Sequence, residues 1–591
     1  MSLNSELSEL FGLFAALMDI RGESAFKAIA FSKVSRILKD TTIDLKAAVE
    51  DGSLKKIEGI GASSQRIIEQ YVKTGRSDDF EEVAASVPPG LIPMLQIPGL
   101  GPKTIALVWK QCGVTTLEDL VKAIDEGKLA CLKGMGEKKI QGINEGIALR
   151  AQAGKRIGIV DALPIAEALL QRLRELPMVD MAEVAGSLRR RCETIGDVDL
   201  VCAPRDESAG AAVAAAFVKF PEVQRIVVQG STKASVITVG GMQVDLRIVP
   251  ADNFGAAIQY FTGSKDHNVK LRGLAAQAKM TLNEWGLYRL DAYDKGDKKP
   301  GMAPSIKPVA SKSEQEIYKA LGLSWMEPEL RENRGEIEAA RDGKLPRLIE
   351  LADIRGDLHC HTTGSDGQNS IEEMAEAAIA RGYEFLAITD HSKSQVIAKG
   401  MSAERLVQHA ANIRKVGERL KKITLLAGCE VDILADGRLD FEDAVLAELD
   451  WVVASPHVSL KQPSDKATDR LLRAIDNRYV NVIGHPTGRL IFGREGLSPN
   501  LPKIFAAAAQ SGTALEINAS YPRLDLCDSH ARGAIEAGAR LSINTDAHST
   551  GEFGEMRYGI HVARRAWATA KDVINCWTAA QLRAFIAKKR G

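Results

Sequence analysis

The sequence predicts a multidomain α/β protein with a helical N-terminal region, a central region of strands and helices, and a C-terminal barrel of parallel strands. Its 591 residues exceed what one hydrophobic core organises, so about three or four domains are expected. Three glycine motifs, each followed by a helical stretch, lie within the first 140 residues. From Asp353 onward, strand-like apolar runs alternate with helical patterns, a rhythm typical of a βα barrel.

The composition is that of an ordinary globular protein and excludes several classes. Apolar residues make up 45% of the chain and charged residues 26%, and no apolar run reaches the roughly 18 residues that span a bilayer. Acidic residues interrupt the N-terminus, so it is not a secretory signal. Its apolar positions instead predict an amphipathic helix, and they are Leu7, Leu10, Phe11, Phe14 and Met18.

The cysteine pattern indicates the cellular compartment, and the net charge limits how the protein could contact nucleic acid. The eight cysteines include no CxxC pair, which argues against a disulfide framework or a thiolate zinc site and favours a reducing cytoplasm. No membrane association is expected, because no apolar run is long enough to span a bilayer. The net charge is zero, so any contact with nucleic acid must come from local patches and backbone groups.

The N-terminal motifs are IEGIGASSQRI (Ile57–Ile67), IPGLGPKTI (Ile97–Ile105) and LKGMGEKKI (Leu132–Ile140). Each reads apolar-x-Gly-apolar-Gly, and a glycine turn before a helix directs backbone N–H groups at an anion such as phosphate. The motifs resemble helix-hairpin-helix motifs, which hold the DNA backbone without reading sequence. The alternative is that they are only tight helix–helix turns. The expected DNA contacts are Gly59, Gly61, Gly99, Gly101, Gly134 and Gly136.

The central region contains four strand-like runs, VDLVC, RIVVQ, SVITV and QVDLRIV, which predict a mostly buried sheet. Asp197 and Asp199 are two residues apart on one predicted strand, so both carboxylates face the same side, and Asp245 lies on another strand. Like charges held together need a divalent cation, and three carboxylates around two magnesium ions suit phosphoryl or nucleotidyl transfer. For an isolated Asp-x-Asp pair the alternative is a surface turn.

The segments GSLRRRCETIGDVDLV, VDLRIV and YFTGSKDHNVKLRGLA resemble the palm and nucleotide pocket of family X DNA polymerases, the group that includes DNA polymerase beta. The resemblance covers roughly residues 1–330 and implies a nucleotidyltransferase-like mixed-sheet palm. It implies that Asp197, Asp199 and Asp245 are the catalytic metal ligands, binding Mg²⁺ or Mn²⁺. It also implies a nucleotide-binding set consisting of Gly186, Ser187, Arg190, Gly196, Tyr260, Phe261, Gly263, Asn268 and Arg272.

The sequence departs from the polymerase beta type at one position. There the helix after the first hairpin carries a lysine that forms a Schiff base with a deoxyribose phosphate, and here Ile67 stands at that position. An isoleucine has no amine, and Lys55, Lys56 and Lys73 lack the matching spacing. Lyase activity is therefore not expected.

The C-terminal part concentrates histidines and acids after its strand-like runs, where a barrel has its active-site loops. The candidate metal ligands are His359, His361, Asp366, His391, Glu430, His457, His485, Asp546 and His548. Imidazoles mixed with carboxylates suit manganese, zinc or iron, and nine ligands predict a cluster of two or three ions. The alternative for any single histidine is a core or strand-capping role.

These motifs, from DLHCHTTGSDG onward, resemble the PHP (polymerase and histidinol phosphatase) domain over about residues 353–580. That resemblance implies a distorted (β/α)7 barrel with a metal-dependent phosphoesterase site. A family X core followed by this domain is the arrangement of bacterial family X DNA polymerases, which links the barrel to 3′→5′ exonuclease activity. Three alternatives remain: a barrel with only a structural or interaction role, a barrel that acts on small phosphate esters, and a protein that binds gapped ends without chemistry.

The expected function is therefore template-directed filling of short gaps in base excision repair, combined with a 3′→5′ exonuclease. The expected substrates are gapped or primed double-stranded DNA and deoxyribonucleoside triphosphates, and the expected state is a monomer. The segment Asp291–Ser313 is expected to be an exposed loop, and Arg331–Leu348 a charged helical connector. The expected division is 1–80 DNA-binding, 81–152 fingers-like, 153–258 palm, 259–330 thumb-like, 331–352 linker and 353–580 PHP barrel.

Overall fold

The computed structural model describes residues 3–22, 25–40, 43, 45–57, 59–97, 100–132, 134–136, 139–144, 147, 156–295 and 303–591. The chain forms two compact units, Met1–Gly154 with Asn500–Pro502, and Lys155–Pro499 with Lys503–Gly591. Within the described ranges, no helix combines the length and apolar character needed to cross a membrane. The fold class predicted from the sequence is confirmed.

The first unit is helical and has its own hydrophobic core. Its first helix buries Leu7, Phe11, Phe14 and Met18 and partly buries Leu10, so the predicted apolar stripe is confirmed. Side-chain caps define two of the later helices, since Ser77 and Thr116 each accept a backbone N–H from the first turn. The helices are α1 (Leu3–Arg21), α2 (Ala25–Asp40), α3 (Leu45–Glu50), α4 (Ala62–Thr74), α5 (Asp78–Ala85), α6 (Pro102–Cys112) and α7 (Leu117–Asp125).

The second unit begins with a five-stranded mixed sheet of order β2-β4-β7-β6-β5. Strands β4 and β7 run parallel, and the other pairs are antiparallel. The strands here are β1 (Ile157–Gly158), β2 (Val179–Val184), β3 (Thr194–Ile195), β4 (Val198–Pro204), β5 (Val223–Gln229), β6 (Lys233–Thr238) and β7 (Gln243–Ile248). The helices are α8 (Ile159–Glu175), α9 (Gly186–Arg189) and α10 (Gly210–Phe217). All four predicted strand runs form strands, but β5 is largely exposed because it lies at the sheet edge.

A smaller helical region with a two-stranded ribbon follows the sheet. It contains α11 (Phe254–Thr262), α12 (Lys265–Gln277), β8 (Met280–Asn283), β9 (Gly286–Arg289), α13 (Leu290–Lys295), α14 (Glu314–Ala320) and α15 (Glu336–Arg341). The predicted loop Asp291–Ser313 was wrong at its start, because Asp291 lies inside α13, and residues 296–302 lie outside the described ranges. The connector Arg331–Leu348 is helical only over α15, and it buries both Arg331 and Glu336 completely. Arg331 is paired with Glu314, and Glu336 is hydrogen-bonded by His267 and by two backbone N–H groups.

The C-terminal region is a barrel of seven parallel strands in sequential order from β10 to β16. Backbone hydrogen bonds from Asp546 to His359 (3.0 Å) and from His361 to Ala547 (2.8 Å) join the last strand to the first. The strands are β10 (Gly356–Cys360), β11 (Phe385–Ile388), β12 (Thr424–Asp432), β13 (Trp451–Ser455), β14 (Val482–Ile483), β15 (Ala514–Asn518) and β16 (Leu541–Asn544).

Helices follow most of the barrel strands, as the sequence rhythm predicts. They are α16 (Ile371–Ala380), α17 (Ala403–Leu420), α18 (Asp443–Leu446), α19 (Ser464–Asp476), α20 (Leu501–Ser511), α21 (Asp528–Glu536), α22 (Met556–Arg565) and α23 (Ala579–Arg590). The predicted ligands follow the carboxyl ends of the strands or lie within their last residues, which brings them together at one end of the barrel.

Candidate active sites

Three carboxylates form a cluster at the mixed sheet. Asp199 on β4 pairs in register with Asp245 on β7, and Asp197 immediately precedes β4. Lys233 Nζ lies 2.9 Å from Asp245 Oδ2, and the Gln243 amide donates to Asp245 Oδ1 over 3.0 Å. The sequence predicted Asp197 and Asp199 on one strand, but only Asp199 lies on β4 and Asp197 directly precedes it. Asp245 lies on the adjacent strand as predicted, and their partner Lys233 carried no recognisable motif.

The electrostatics of this cluster favour a cation. Burial, then the neighbouring charges of Asp197 and Asp245, raises the pKa of Asp199 to about 7. Burial, then Asp245, also raises the pKa of Asp197. Burial alone would raise the pKa of Asp245, but Lys233 and the hydrogen bonds to Gln243 outweigh it, so that pKa is lowered. Divalent cations would relieve the repulsion that holds these protons, and the donor set therefore fits magnesium or manganese.

Gly186 is required by its contact with the acidic cluster. Its φ of +63° lies in the left-handed region, and a Cβ built on it would lie 2.2 Å from Asp199 Oδ2. Gly186 begins the short helix α9, and the next residue, Ser187, is partly exposed. The backbone of this turn thus lies directly against a candidate metal ligand.

The predicted nucleotide-pocket arginine is partnered inside the protein. Arg190 donates from Nη1 to Thr262 O (2.6 Å) and from Nε to Glu332 Oε1 (3.0 Å), and only 14% of its side chain is exposed. Gly263 lies against the same guanidinium, since its Cβ would be 3.2 Å from Arg190 Nη1. The sequence indicated Arg190 and Gly263 but not the acid that holds the arginine.

Of the remaining predicted pocket residues, all but Gly196 lie on α11 or α12. The rings of Tyr260 and Phe261 meet edge to face at 5.2 Å, and the Asn268 amide donates to Tyr260 O over 2.7 Å. Arg272 is exposed on the same helix as Asn268. Gly196 is exposed directly before Asp197.

A buried ion-pair network that the sequence reasoning missed lies next to Arg190 and shares Thr262 with it. Arg189 makes two 2.9 Å bonds to the Glu314 carboxylate and one of 2.7 Å to Thr262 Oγ1. Arg331 also bonds Glu314. Burial opposes ionisation, but Arg331 and Arg189 lower the pKa of Glu314 to about 2. The four groups are far apart in sequence and have no shared motif.

The nine predicted ligands of the barrel form one continuous cluster. The ring of His361 lies 4.3 Å from those of His391 and His548, and the ring of His457 lies 5.0 Å from that of His485. In each of three groups, the ligand atoms lie within 4.8 Å of one another. The groups are His361, Asp366, His391 and His548; His359, His361 and Asp546; and His391, Glu430 and His457. The ninth ligand joins them, since His485 Nε2 is 2.9 Å from Glu430 Oε1.

Several buried histidine nitrogens in this cluster have no hydrogen-bond partner, so their lone pairs could bind metal ions. Among the described residues, His359 Nε2, His361 Nδ1 and His485 Nδ1 are buried without a hydrogen-bond partner. Burial, then the neighbouring His391, lowers the pKa of His361 to about 4, so this imidazole is neutral near pH 7. A neutral imidazole with a free nitrogen can bind a metal ion, and the mixture with carboxylates suits manganese, zinc or iron.

Two acids outside the predicted set orient histidines of the cluster. Glu516 Oε1 is 2.8 Å from His359 Nδ1, and its other oxygen accepts the backbone N–H of His485. Asp432 Oδ1 contacts His457 Nδ1 at 2.5 Å. These carboxylates fix the ring orientations so that the opposite nitrogens face the cluster.

A third such acid, Asp390, organises the loop that carries His361 and Asp366. It accepts from the backbone of Thr362 (2.8 Å) and from Ser365, and His409 Nε2 lies 2.8 Å from its other oxygen. His409, to which the sequence motifs assign no role, is thus a partner of this acid. Asp390 directly precedes the predicted ligand His391, and this position was the available signal in the sequence.

Cys360 lies between two ligands but is directed at the neighbouring strand. Its thiol donates to Ala387 O on β11 over 3.3 Å, and the residue is fully buried. Burial, then Asp357, raises the pKa of the Cys360 thiol well above its ordinary value. A buried neutral thiol is a poor nucleophile.

An arginine that the sequence reasoning did not single out borders the barrel cluster. Arg523 Nε is 3.5 Å from Asp546 Oδ2. The loop of Arg523 is held by Arg489, which donates to Arg523 O (3.1 Å) and forms a two-point ion pair with Glu193 of the mixed-sheet region.

The N-terminal glycine turns have a shared geometry. The carbonyls of Gly61, Gly101 and Gly136 each accept an N–H from the first turn of the following helix. A Cβ at any of these three positions would meet no atom within 4 Å, so the backbone is open there. Gly59 and Gly134 have φ of +90° and +81°. Gly99 lies outside the described residues.

The position that carries the Schiff-base lysine in the polymerase beta type is occupied here by a buried apolar residue. Ile67 lies on α4 and is 1% exposed. Lys55 and Lys73 are exposed. The side chain at this position therefore belongs to the helical core.

Comparison with known families gives four matches along the chain. Residues 2–77 match a helix-hairpin-helix domain, and residues 91–148 match a SAM-like helix-hairpin-helix tandem. Residues 257–332 match the DNA polymerase beta thumb, and residues 357–578 match the PHP domain. Together with the two ligand clusters, this combination is that of a polymerase-type core joined to a PHP barrel.

A relative extends the similarity over the whole chain. The protein named DNA polymerase/3′-5′ exonuclease PolX of Bacillus subtilis (strain 168) is 37% identical over 585 residues, which cover 99% of both chains. The chain therefore belongs to the bacterial family X DNA polymerases that carry a C-terminal PHP domain. Shorter relatives are named probable phosphatases. One from Thermoanaerobacter sp. (strain X514) is 29% identical, and one from Edwardsiella ictaluri (strain 93-146) is 30% identical; each match covers 37% of this chain and 89% of the relative.

Proposed function

We propose that this protein is a template-directed DNA polymerase that fills short gaps during base excision repair and carries a metal-dependent 3′→5′ exonuclease in its PHP barrel. The observation that carries the proposal is the presence of two separate ligand sets in one chain. One consists of two carboxylates on adjacent strands and a third directly before one of them, and the other of nine clustered histidines and acids. Both sets suit phosphoryl transfer, and the family membership identifies DNA as the polymer.

At the mixed sheet, Asp197, Asp199 and Asp245 would hold Mg²⁺ or Mn²⁺. Bound there, the cations would neutralise charge on the triphosphate and on the attacking primer hydroxyl. Gly186 and Ser187 offer backbone and hydroxyl donors beside Asp199, and Arg190 offers its guanidinium. The edge-to-face pair Tyr260–Phe261 would line the sugar side of an incoming deoxyribonucleotide.

At the barrel, the nine clustered residues would hold two or three ions of manganese, zinc or iron. Such ions polarise a phosphoester and lower the pKa of water. The chain contributes the orientation of its ligands, since Glu516 and Asp432 hold His359 and His457 through their Nδ1 atoms. Arg523 lies beside Asp546, where a guanidinium can bind a phosphate oxygen.

We propose a matching division of labour along the chain. Residues 1–80 and 81–152 would bind the DNA backbone through the glycine turns, residues 153–258 would carry the polymerase carboxylates, and residues 259–330 would close the nucleotide pocket. Residues 353–580 would form the nuclease. Arg331 pairs with Glu314 of the core and Arg334 donates to Asp528 of the barrel over 3.0 Å, which supports treating 331–352 as a packed junction between the two.

A second candidate function for the barrel is hydrolysis of small phosphate esters. The similarity to proteins named probable phosphatases favours it. The two candidates differ in substrate, so competition between gapped DNA and a small phosphate ester such as p-nitrophenyl phosphate separates them. Inhibition of ester hydrolysis by micromolar DNA would support the nuclease.

The test of the proposed function is primer extension and degradation on DNA with a one-nucleotide gap, with magnesium and manganese compared. Insertion of one templated nucleotide and its removal from the same 3′ end are expected from the full chain. Absence of templated insertion with both metals would refute the polymerase assignment. Absence of degradation with manganese, zinc and iron would refute the nuclease assignment.

A further inference from the structure

The guanidinium of Arg190 is held between two parts of the polymerase core. Arg190 follows α9 directly after Arg189, and its Nη1 and Nε donate to Thr262 O (2.6 Å) and Glu332 Oε1 (3.0 Å). Its Nη2 lies 3.9 Å from Cys192 Sγ, which is a weak acceptor. Two of the three guanidinium nitrogens, Nη1 and Nε, therefore donate to strong acceptors inside the protein. The third, Nη2, can still donate a strong hydrogen bond to another group.

The carboxylate that holds Arg190 is itself held by the barrel. Arg565, the last residue of α22, donates from Nη1 to the same Glu332 Oε1 over 2.9 Å. The same nitrogen donates to the main-chain carbonyl of Arg190 over 2.8 Å. Arg565 therefore contacts Arg190 directly through the backbone and indirectly through Glu332.

A further acid in the barrel fixes Arg565. Asp528, at the start of α21, lies 2.9 Å from Arg565 Nη2 and accepts from Arg334 over 3.0 Å. The Arg565 side chain is 9% exposed, and those of Glu332 and Asp528 are 17% and 18% exposed. Burial opposes ionisation of Glu332, but Arg565 and Arg190 lower its pKa to about 2, so the carboxylate stays charged near pH 7.

We propose that Arg565 of the PHP barrel is a positioning residue of the polymerase nucleotide pocket, which sets the orientation of Arg190 through Glu332. This inference rests on the proposed function, because it takes Arg190 as a contact of the incoming triphosphate. A guanidinium held in advance loses less side-chain freedom when it meets a phosphate. The barrel is thus a structural part of the polymerase site in addition to carrying the nuclease.

The adjacent arginine provides a matched control. Arg564 donates from Nε to Glu329 (2.7 Å) and from Nη1 to Ile349 O (3.1 Å). It therefore crosses the same junction between barrel and core. Its Nη2 also lies 3.3 Å from Glu327, and among the described residues its partners do not include Glu332 or Arg190.

The experiment compares Arg565→Met, Arg565→Lys and Arg564→Met in the full chain. The KM for the complementary deoxyribonucleoside triphosphate and kcat are measured in one-nucleotide gap filling with magnesium. Loss of charge-assisted hydrogen bonds predicts a KM raised by about tenfold or more for Arg565→Met, with a smaller change in kcat. Arg565→Lys keeps the positive charge but cannot form the several simultaneous hydrogen bonds of the guanidinium, so its KM should be intermediate. The KM of Arg564→Met should stay close to that of the wild type.

Exonuclease activity of each variant reports whether the barrel is folded. Equal KM increases in Arg565→Met and Arg564→Met would overturn the inference, because the junction as a whole would then be responsible. An unchanged KM in Arg565→Met would also overturn it and leave the proposed polymerase function intact. If Arg565→Met loses nuclease activity as well, the isosteric Glu332→Gln decides: a raised KM supports the inference, and a wild-type KM overturns it. Failure of the wild type to fill gaps would refute both.

Discussion

Asp199 and Asp245 face each other in register across two parallel strands, and the backbone of Gly186 lies against the Asp199 carboxylate. The parallel pairing matters because it aligns the two acids at the same level of the sheet. Asp197, two residues before Asp199, adds its charge and raises the pKa of Asp199. The three neighbouring carboxylates concentrate negative charge at one place, and this charge favours the binding of cations there.

Asp199→Ala and Asp245→Ala should abolish gap filling and leave 3′→5′ degradation intact. Each substitution removes a carboxylate from the polymerase cluster alone, and loss of one ligand should cost on the order of 10³-fold or more in rate. Single-turnover extension and degradation of the same labelled primer measure both activities. Near-normal extension by either variant would show that the cluster is not the polymerase site.

Gly186→Ala should strongly impair gap filling at little cost to the barrel. The added Cβ would lie 2.2 Å from Asp199 Oδ2, and alanine disfavours the φ of +63°. The control is Gly142→Ala, because a Cβ added at Gly142 would meet no atom within 4 Å and its φ lies outside the left-handed region. Equal gap-filling rates for the two variants would contradict the role assigned to the Gly186–Asp199 contact.

His359→Ala, His361→Ala and Asp546→Ala should lose exonuclease activity while polymerase activity persists. Each removes a clustered ligand, so ions bind more weakly. Cys360→Ser should retain degradation, because its thiol contacts Ala387 O on β11. Degradation of a labelled primer in manganese, with metal content determined for each variant, provides the measurement. Wild-type degradation by His359→Ala would contradict the assignment, as would loss in Cys360→Ser with metals still bound.

Glu516→Gln should weaken metal binding at the barrel without removing a predicted ligand. The carboxylate holds His359 Nδ1 at 2.8 Å, and loss of such a partner typically costs about 10–100-fold in metal affinity. Isothermal titration calorimetry of the metal-depleted protein with manganese measures the dissociation constant directly. Glu536→Gln, at an exposed acid on α21, serves as the control. Unchanged affinity in Glu516→Gln would exclude this orienting role.

The protein should form no borohydride-stable adduct with a 5′-deoxyribose phosphate end. Ile67 has no amine and is buried in the helical core. The assay is reductive trapping on incised abasic DNA, with a known lyase as the positive reference. An adduct that maps to any lysine before residue 150 would prove this prediction wrong.

The sequence alone determined the fold class, the two ligand sets and the family. Each of these depends on local patterns: a motif such as DLHCHTTGSDG places its ligands at a strand end, and the βα rhythm brings strand ends together. Asp197 and Asp199 share a face because side chains alternate along a strand. Tyr260 and Asn268 could not be singled out from spacing, and they were predicted as nucleotide-binding residues from the family resemblance.

Only the tertiary structure showed which groups hold those residues in place. Glu516 and Asp432 orient histidines from distant strands, and Arg565 contacts the carbonyl of Arg190 across 375 residues of sequence. Such partners have no periodicity and no fixed spacing, because a buried charge needs a counter-charge nearby in space and not in sequence. The contact of Arg565 in the barrel with Arg190 in the core is therefore a property of the packed chain.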